Sequence, residues 1–598
     1  MIIGGGIAGA LVAHELVAAG LEVVVLEAGA DQSGSGADGW DTYLDHYFEN
    51  PVKTPNSPYP HNIAAPSPDV LDVGRPTSEG YFYQRGPNPF RSDYVRVLGG
   101  TTLHWLGTSL RFTPACFELA SRYSQAVDWP LKYEDLAPWY ERAEWTIGVA
   151  GEASDQRFLG ISFGEGYNYP MERIPSSWLD QRLKTWLDGA AYAVDDETIP
   201  LQVTNTPVGR NGIPRAGGAI VAGERRAAWD PAGGSPDLAW RGQRCKGYSN
   251  CIPICPVQAK YSSLKTLNEA ARAHPQRLSI RTQSVVTGLE TDGDDGTISA
   301  VRYKRYAAPN RPDFEERRIA GRIVVLAANA IENAKIGLAS GLRDASGQLG
   351  RNFMDHPLVL SWGLAPQPVG GFMGPGSTGG IENFRDGGFR RRQAGFRIEI
   401  GNWGWALAEG APVADVIRHV RVNRLRGTAL RTRLADEVPR QLRLGALIEQ
   451  LPLPENRISI RPDIVDALGE PRPVIDYRID DYAFQGMALA RNAMRHVFDV
   501  SGIEDHTHDD RTDPGWVERN GEGFVYCGAG HLAGTHRMGA TAAGGVTDSA
   551  GRAFGHPNLW MVGAGAMPTI GTCNPTLTLA ALTLFAASDI IKKISSLP

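Results

Sequence analysis

Two groups of residues in this chain have types and spacings suited to chemistry. The first opens the sequence. Met1-Ile-Ile-Gly-Gly-Gly-Ile-Ala-Gly9 places Gly4, Gly6 and Gly9 in the order G-x-G-x-x-G. An apolar helical pattern follows (Ala10, Leu11, Ala13, Leu16, Val17), Gly20 stops it, and Leu21-Glu-Val-Val-Val-Leu26 reads as a strand ending at Glu27. Strand, glycine turn, helix, strand and acid together form a dinucleotide site. Gly4 allows the tight turn, Gly6 lets the backbone approach a pyrophosphate at the helix N-terminus, and Gly9 lets helix and strand pack closely. Glu27 would accept from the ribose hydroxyls of an adenosine. The second group is Cys245-Lys-Gly-Tyr-Ser-Asn-Cys251-Ile-Pro-Ile-Cys255-Pro256. Thiolates this close on a proline-ended loop suit an iron–sulfur cluster. Structural zinc normally takes four ligands with shorter spacings, and a disulfide would leave one of the three thiols unpaired.

The chain must supply elements to position these groups, and its composition shows that it can. It has 598 residues, 42% of them hydrophobic and 21% charged, which is an ordinary globular balance with ample core. The net charge of −6 argues against a nucleic-acid binder or a polybasic membrane-surface protein. Seventy glycines and forty prolines imply many tight turns and close backbone approaches. Six cysteines are too few for a disulfide scaffold of this size. No export signal or membrane span is legible; the apolar stretch from Thr576 to Ile591 carries three threonines, a serine and an aspartate and reads as a packed helix. Only three residues precede Gly4, so a short natural N-terminal segment is expected to be missing.

Further blocks recur along the chain. They are Arg96-Val-Leu-Gly-Gly-Thr-Thr-Leu-His-Trp105, a strand from Ser279 to Leu289 with Val286 near its end, and a strand from Ile323 to Asn329. Leu349-Gly-Arg-Asn-Phe-Met-Asp-His-Pro357, His531-Leu-Ala-Gly-Thr-His-Arg-Met-Gly539, Asn558 to Pro568 and Asn574-Pro-Thr-Leu-Thr578 follow. In that order they resemble the glucose–methanol–choline (GMC) family of FAD oxidoreductases, from Gly4 to about Ile591. The last blocks are also similar to those of pyranose oxidases. Thr101-Thr102 stands where many relatives carry Ser-Ser, and Gly563 where many carry Asp.

The resemblance implies an α/β fold: a discontinuous Rossmann-like FAD-binding domain with a mainly antiparallel-sheet substrate lobe. The expected division is 1–113 for the first FAD-binding part and 114–239 for the first part of the substrate lobe. Residues 240–364 carry the cysteine loop and second FAD part, 365–522 the second substrate part, and 523–598 the catalytic C-terminal part. The implied cofactor contacts are Gly4, Gly6, Gly9, Glu27, Gly99, Gly100, Thr102, His104, Val286, Asn329, Gly565 and Asn574. In some relatives the histidine matching His104 is bonded covalently to the flavin; packing beside the ring without a bond is the alternative here.

Taking a hydride from a carbinol carbon requires loss of the hydroxyl proton, and neutral imidazole is the natural base. By the family pattern that base is His531 and its partner is Asn574, with His536 the rival base. Residues 484 to 498 (Phe484, Met487, Ala490, Arg491, Met494, Val497, Phe498) form a helical stripe expected to be core, and the arginines from Arg418 to Arg433 read as a solvated face. The segment Cys245–Cys255 looks like the [3Fe-4S] loop in the flavoprotein subunits of bacterial FAD-dependent glucose and fructose dehydrogenases. That likeness implies a cytochrome c acceptor subunit, a small export-chaperone subunit and a periplasmic location. The expected reaction is oxidation of a sugar, glycoside or sugar-acid hydroxyl. The alternatives are an oxygen-dependent sugar oxidase, which would be cytoplasmic, and a non-catalytic redox or scaffold subunit.

Overall fold

The computed structural model describes residues 1–31, 82–92, 94–103, 105–230, 242–247, 251, 255, 257–307, 313–402, 414–466 and 468–594. A five-stranded parallel sheet forms the nucleotide-binding half. Its order is Leu559–Met561, Val324–Leu326, Ile2–Ile3, Val23–Leu26, Leu278–Arg281. The central strands read as unbroken apolar runs because both faces are buried. Ile2, Val25, Val325 and Trp560 point into one core with the helix Ile7–Ala18. Their neighbours Ile3, Leu26, Leu326 and Met561 point into another, beneath the antiparallel strands Ser284–Asp292, Thr297–Tyr306 and Phe314–Ile319. The C-terminal helix Thr576–Lys593 lies against Ile7–Ala18 and against Tyr133–Ile147.

The span Ser279 to Leu289 is therefore two strands in two sheets, not the single strand expected. The chain breaks at Gln283, whose φ is +54°, and Val286 sits near the start of the second strand. Alternating apolar residues on either side of such a break look continuous in sequence.

The second half is built on a large antiparallel sheet. It runs Trp516–Arg519, Glu522–Gly528, Pro357–Leu364, Gln441–Ile448, Phe396–Gly401, Gly379–Ile381, Val203–Asn205, with Glu504–Asp505 also paired to Pro357–Leu364. Pro357–Leu364, placed by the sequence with the nucleotide-binding portion, belongs to this sheet. The helix Asp481–Ser501 starts at Asp480, whose carboxylate accepts from the Ala483 amide. It packs Met487, Met494, Val497 and Phe498 with the sheet residues Ile398, Leu444 and Ile448, so the methionine–aromatic stripe is core. The arginine-rich stretch forms two helices, Ala414–Arg421 and Gly427–Glu437. His419 is buried between them and meets Glu437 at 2.5 Å. Among the described residues no helix is long and apolar enough to cross a membrane.

Candidate active site

The glycine turn forms a cradle shaped by what each glycine touches. Gly4 has φ +104°, and a Cβ there would lie 2.8 Å from the Ala328 nitrogen. A Cβ on Gly9 would lie 1.9 Å from the Gly4 carbonyl oxygen, so this glycine is needed for helix–strand packing. Gly6 differs: it caps the helix in an extended conformation, and a Cβ there would meet no protein atom within 4 Å. The helix has no acidic residue in its first turn and no side-chain cap. Its free N–H groups and dipole are thus available to an anion. The Glu27 carboxylate accepts from the Gly5 and Gly29 amides at 2.7 and 2.8 Å. Burial pushes its pKa up and these amides oppose that shift.

One cavity is lined at once by Gly4, Gly6, Glu27, Gly100, Thr102, Val286, Asn329, Gly563 and His531. It holds about 1350 Å³ free of protein atoms, its open mouth included. A donor-rich helix end, a ribose-ready carboxylate and a Gly6 face that only a ligand fills fit FAD. Three of the expected glycines stand behind this surface, and Asn574 is also absent from its lining. Gly9 packs on Gly4. Gly99 packs on Leu103 and Leu264, and its carbonyl accepts from the Thr102 and Ser263 hydroxyls. Gly565 lies under the His536 ring, where a Cβ would be 2.0 Å from Cε1, and Gly563 and Ala564 form the lining instead. Asn329 caps the helix Ala330–Ala339, its Oδ1 accepting from the Ile331 and Glu332 amides. His104 lies outside the described residues.

Sequence reasoning missed Arg96 and Glu332, which also line the cavity. Burial opposes ionisation of Glu332, but Arg96 and Lys335 outweigh it and hold its pKa at about 2.

His531, which lines this cavity, meets Asn574, whose chain neighbours Pro575 and Thr576 line it. His531 Nε2 lies 3.4 Å from Asn574 Nδ2. Asn574 Oδ1 accepts from Arg397 Nη1 at 3.0 Å. A guanidinium can only donate, so the amide oxygen faces the arginine and the NH2 faces His531. Arg397 comes from the strand Phe396–Gly401 of the large sheet. It is fully buried and also donates to Glu382, Glu399 and Thr206 at 3.0, 3.3 and 3.2 Å.

The other face of His531 meets His356, with Nδ1 to Nδ1 at 3.0 Å. Asp355 Oδ1 accepts from the amides of both His531 and His356, and the Ser92 hydroxyl donates to Asp355 Oδ2. Burial drives the His531 pKa well below the ordinary histidine value, and His356 and Arg397 push it the same way. The ring is neutral at neutral pH and able to accept a proton. His536 is fully buried, is held at about 3 by burial, and is absent from the cavity lining. Nothing in the motif text marks Arg397, and His356 stands out only as part of the block ending at Pro357.

Cys245, Cys251 and Cys255 carry free thiols close enough to interact electrostatically. Burial raises the Cys245 thiol pKa, Arg210 lowers it, and the other two thiols raise it. Lys260 is buried with its ammonium on the Cys251 carbonyl at 2.6 Å. Burial lowers its pKa to about 8, against the pull of Cys251 and Cys255. Lys265 beside them falls to about 7 for the same reason. Among the described residues no three ligating side chains stand together in a metal-binding arrangement. Three free thiols are the donor type an iron–sulfur cluster takes, but the described residues do not bring them together as a ligand set. Trp105, which lines the FAD cavity, donates its indole N–H to the Tyr261 carbonyl at 2.8 Å, next in sequence to Lys260.

Residues 452–583 match the family model described as GMC oxidoreductase, and residues 1–49 match that of FAD dependent oxidoreductase. The chain is a GMC oxidoreductase. This GMC protein is 28% identical to the fructose dehydrogenase large subunit of Gluconobacter japonicus, over 99% of this chain and 98% of that one. It is 24% identical to paromamine 6'-oxidase of Streptomyces fradiae, over 99% and 90%. It is 22% identical to the gluconate 2-dehydrogenase flavoprotein of Pantoea cypripedii, over 99% and 93%. Among solved structures, pyridoxine 4-oxidase from Mesorbium loti shares the fold with a TM-score of 0.59 at 17% identity, over 98% of both chains. A GMC oxidoreductase of this kind is an FAD enzyme acting on CH–OH donors.

Proposed function

We propose that this GMC enzyme is the flavoprotein of a dehydrogenase that oxidises a sugar, glycoside or sugar-acid hydroxyl to a carbonyl. The observation that carries the reading is the 3.4 Å meeting of His531 Nε2 and Asn574 Nδ2, with His531 lining the same cavity as Glu27. A neutral imidazole and an amide N–H converging on one point suit a carbinol oxygen: His531 takes the hydroxyl proton and Asn574 donates to the developing alkoxide. FAD, when bound, supplies the hydride acceptor at its N5. Gly4, Gly6, Gly100, Glu27, Thr102, Val286 and Asn329 hold it. Similarity to the fructose dehydrogenase large subunit and to the gluconate 2-dehydrogenase flavoprotein supports the substrate class.

In the same reading Cys245, Cys251 and Cys255 ligate a [3Fe-4S] cluster and the electron acceptor is a cytochrome c subunit. The protein works in the periplasm with a small export partner. The close spacing of the three thiols in the sequence, ending on Pro256, supports the ligand set. Covalent attachment at His104 would leave the yellow colour in an acid-precipitated pellet; a yellow supernatant rejects it.

The test of the central claim is His531→Ala. Anaerobic flavin reduction by a substrate sugar should slow by ~10²–10⁴, the usual yield of a positioned base, with FAD retained. Near-parental reduction would overturn the assignment. A second reading, an oxygen-using oxidase, draws on similarity to paromamine 6'-oxidase. Stoichiometric peroxide from substrate and O2 would favour it. A flavin bleached by no alcohol or sugar would favour a redox or scaffold subunit.

A further inference from the structure

We propose that His356 is a positioning residue that fixes the proton of His531 on Nδ1, leaving the lone pair of Nε2 free at the point where the hydroxyl is deprotonated. The inference rests on His531 being the base.

The argument starts from a carbonyl. Gly571 has φ +71°, and a Cβ there would lie 2.8 Å from the Phe112 ring. Only glycine fits, and its conformation aims the carbonyl at His356 Nε2, 3.0 Å away. A carbonyl oxygen can only accept, so His356 Nε2 must carry a hydrogen. His356 is fully buried, and burial keeps it neutral, so it has one N–H and its Nδ1 is bare. That bare nitrogen lies 3.0 Å from His531 Nδ1. Two ring nitrogens at this distance share a single proton. His356 cannot supply it, so His531 must. Its remaining nitrogen, Nε2, then carries the lone pair and faces the Asn574 NH2 group.

Two backbone devices hold the spacing. Asp355 Oδ1 receives the amides of His356 and His531 at 2.7 and 2.9 Å. Met354 and Ala533, each two positions from one of the histidines, pair backbone to backbone in both directions at 3.1 and 3.0 Å. One loop closes the circuit: Gly571 sets the proton at the far end of the pair, and Asn574, three residues on, meets the lone pair at the near end. Without an acceptor on Nδ1, the His531 proton is free to occupy Nε2, which blocks the base.

The experiment uses the FAD-loaded enzyme and compares His356→Asn with His356→Leu. An Asn side chain reaches the Nδ1 position with a carbonyl oxygen and keeps the acceptor; Leu removes it. His356→Leu should slow anaerobic flavin reduction about 10- to 100-fold, within the range of a base mispositioned for proton transfer. His356→Asn should stay within about threefold of the parent. Equal loss in both variants, or none in His356→Leu, would overturn the proposal. Nitrogen-15 NMR of the histidine-labelled parent gives a reading that no variant's folding can disturb: His531 should show a protonated Nδ1 and a bare Nε2. The reverse pattern would overturn the proposal. Parental reduction by His531→Ala would sink the base assignment itself, and the NMR tautomer separates that failure from failure of the His356 step.

Discussion

Gly6→Ala isolates cofactor binding from folding. The added methyl meets no protein atom within 4 Å, and the residue already has an ordinary extended conformation with φ −74°. Losing glycine at a helix cap costs up to about 1 kcal/mol, while reduced freedom of the unfolded chain returns about 0.4–1 kcal/mol. The apoprotein should therefore melt within a few degrees of its parent. Gly6 is the N-cap of the helix Ile7–Ala18 and lines the cavity, so the methyl takes up space there that a ligand would use. Displacing a phosphate from two charge-assisted hydrogen bonds, each worth about 1.5–3 kcal/mol, forfeits about 3–6 kcal/mol. That weakens FAD binding by ~10²–10⁴. The assay is titration of apoprotein with FAD, beside thermal melts of both apoproteins; holoprotein melts would mix in ligand stabilisation. Gly9→Ala is the contrast, because its Cβ would lie 1.9 Å from the Gly4 oxygen, so it should fail to fold. FAD bound by Gly6→Ala with parental affinity would refute the cradle as a phosphate site.

Cys251→Ser should remove iron and acid-labile sulfide while anaerobic bleaching by substrate persists and reduction of a cytochrome c collapses. A parent protein without iron would show the three thiols to be structural. Acid should destabilise the fold through its buried imidazoles. His356 and His536 are held by burial at about 4 and about 3, below the unfolded value near 6.5. Their contribution is complete above pH 6.5 and is lost as the pH falls toward those values. Each pKa unit is worth about 1.4 kcal/mol, so His356 alone accounts for about 3 kcal/mol between pH 6.5 and 4. Glu332, held at about 2, acts in the same direction further into acid. Asp355, raised chiefly by burial, opposes it. Thermal melts should be flat above pH 7 and fall below pH 6; a melting temperature unchanged down to pH 4 would contradict the burial of these rings.

The parts of the site legible in sequence are those whose constraint is local. Gly4, Gly6 and Gly9 are set by one turn, and Glu27 by the length of one helix and strand. His531 and Asn574 are recognised as motif text, without any view of what holds them. What sequence could not give is pairing across the fold. Arg397 reaches Asn574 from a strand 177 residues earlier, and it reads in sequence as one arginine in an alternating strand. His356 meets His531 across 175 residues. Gly565 shares a glycine-rich block with Gly563, and only the His536 ring beneath it shows which of the two is packing. The arginine-rich helices read as a solvated face, and Arg421, Arg424, Arg426, Arg431 and Arg433 are exposed; what the sequence carries no sign of is His419 buried against Glu437.

The two long-range partners act on opposite faces of the same reacting point. Arg397 sits between two carboxylates, Glu382 and Glu399, so much of its charge is neutralised where it stands. Its remaining influence reaches the reaction through Asn574. Donation into Oδ1 polarises the amide and strengthens the N–H groups on the other side, an effect that grows in a buried, water-poor setting. An arginine placed directly on the hydroxyl would instead stabilise alkoxide whether or not a base was ready, and would bind anions in general. Relayed through an amide, the positive charge becomes a directional donor beside the nitrogen that takes the proton. His356 supplies the complementary half, keeping that nitrogen's lone pair free. Charge relayed from Arg397 on the large antiparallel sheet and proton placement by His356, directly before its strand Pro357–Leu364, thus converge on His531 and Asn574 of the C-terminal blocks.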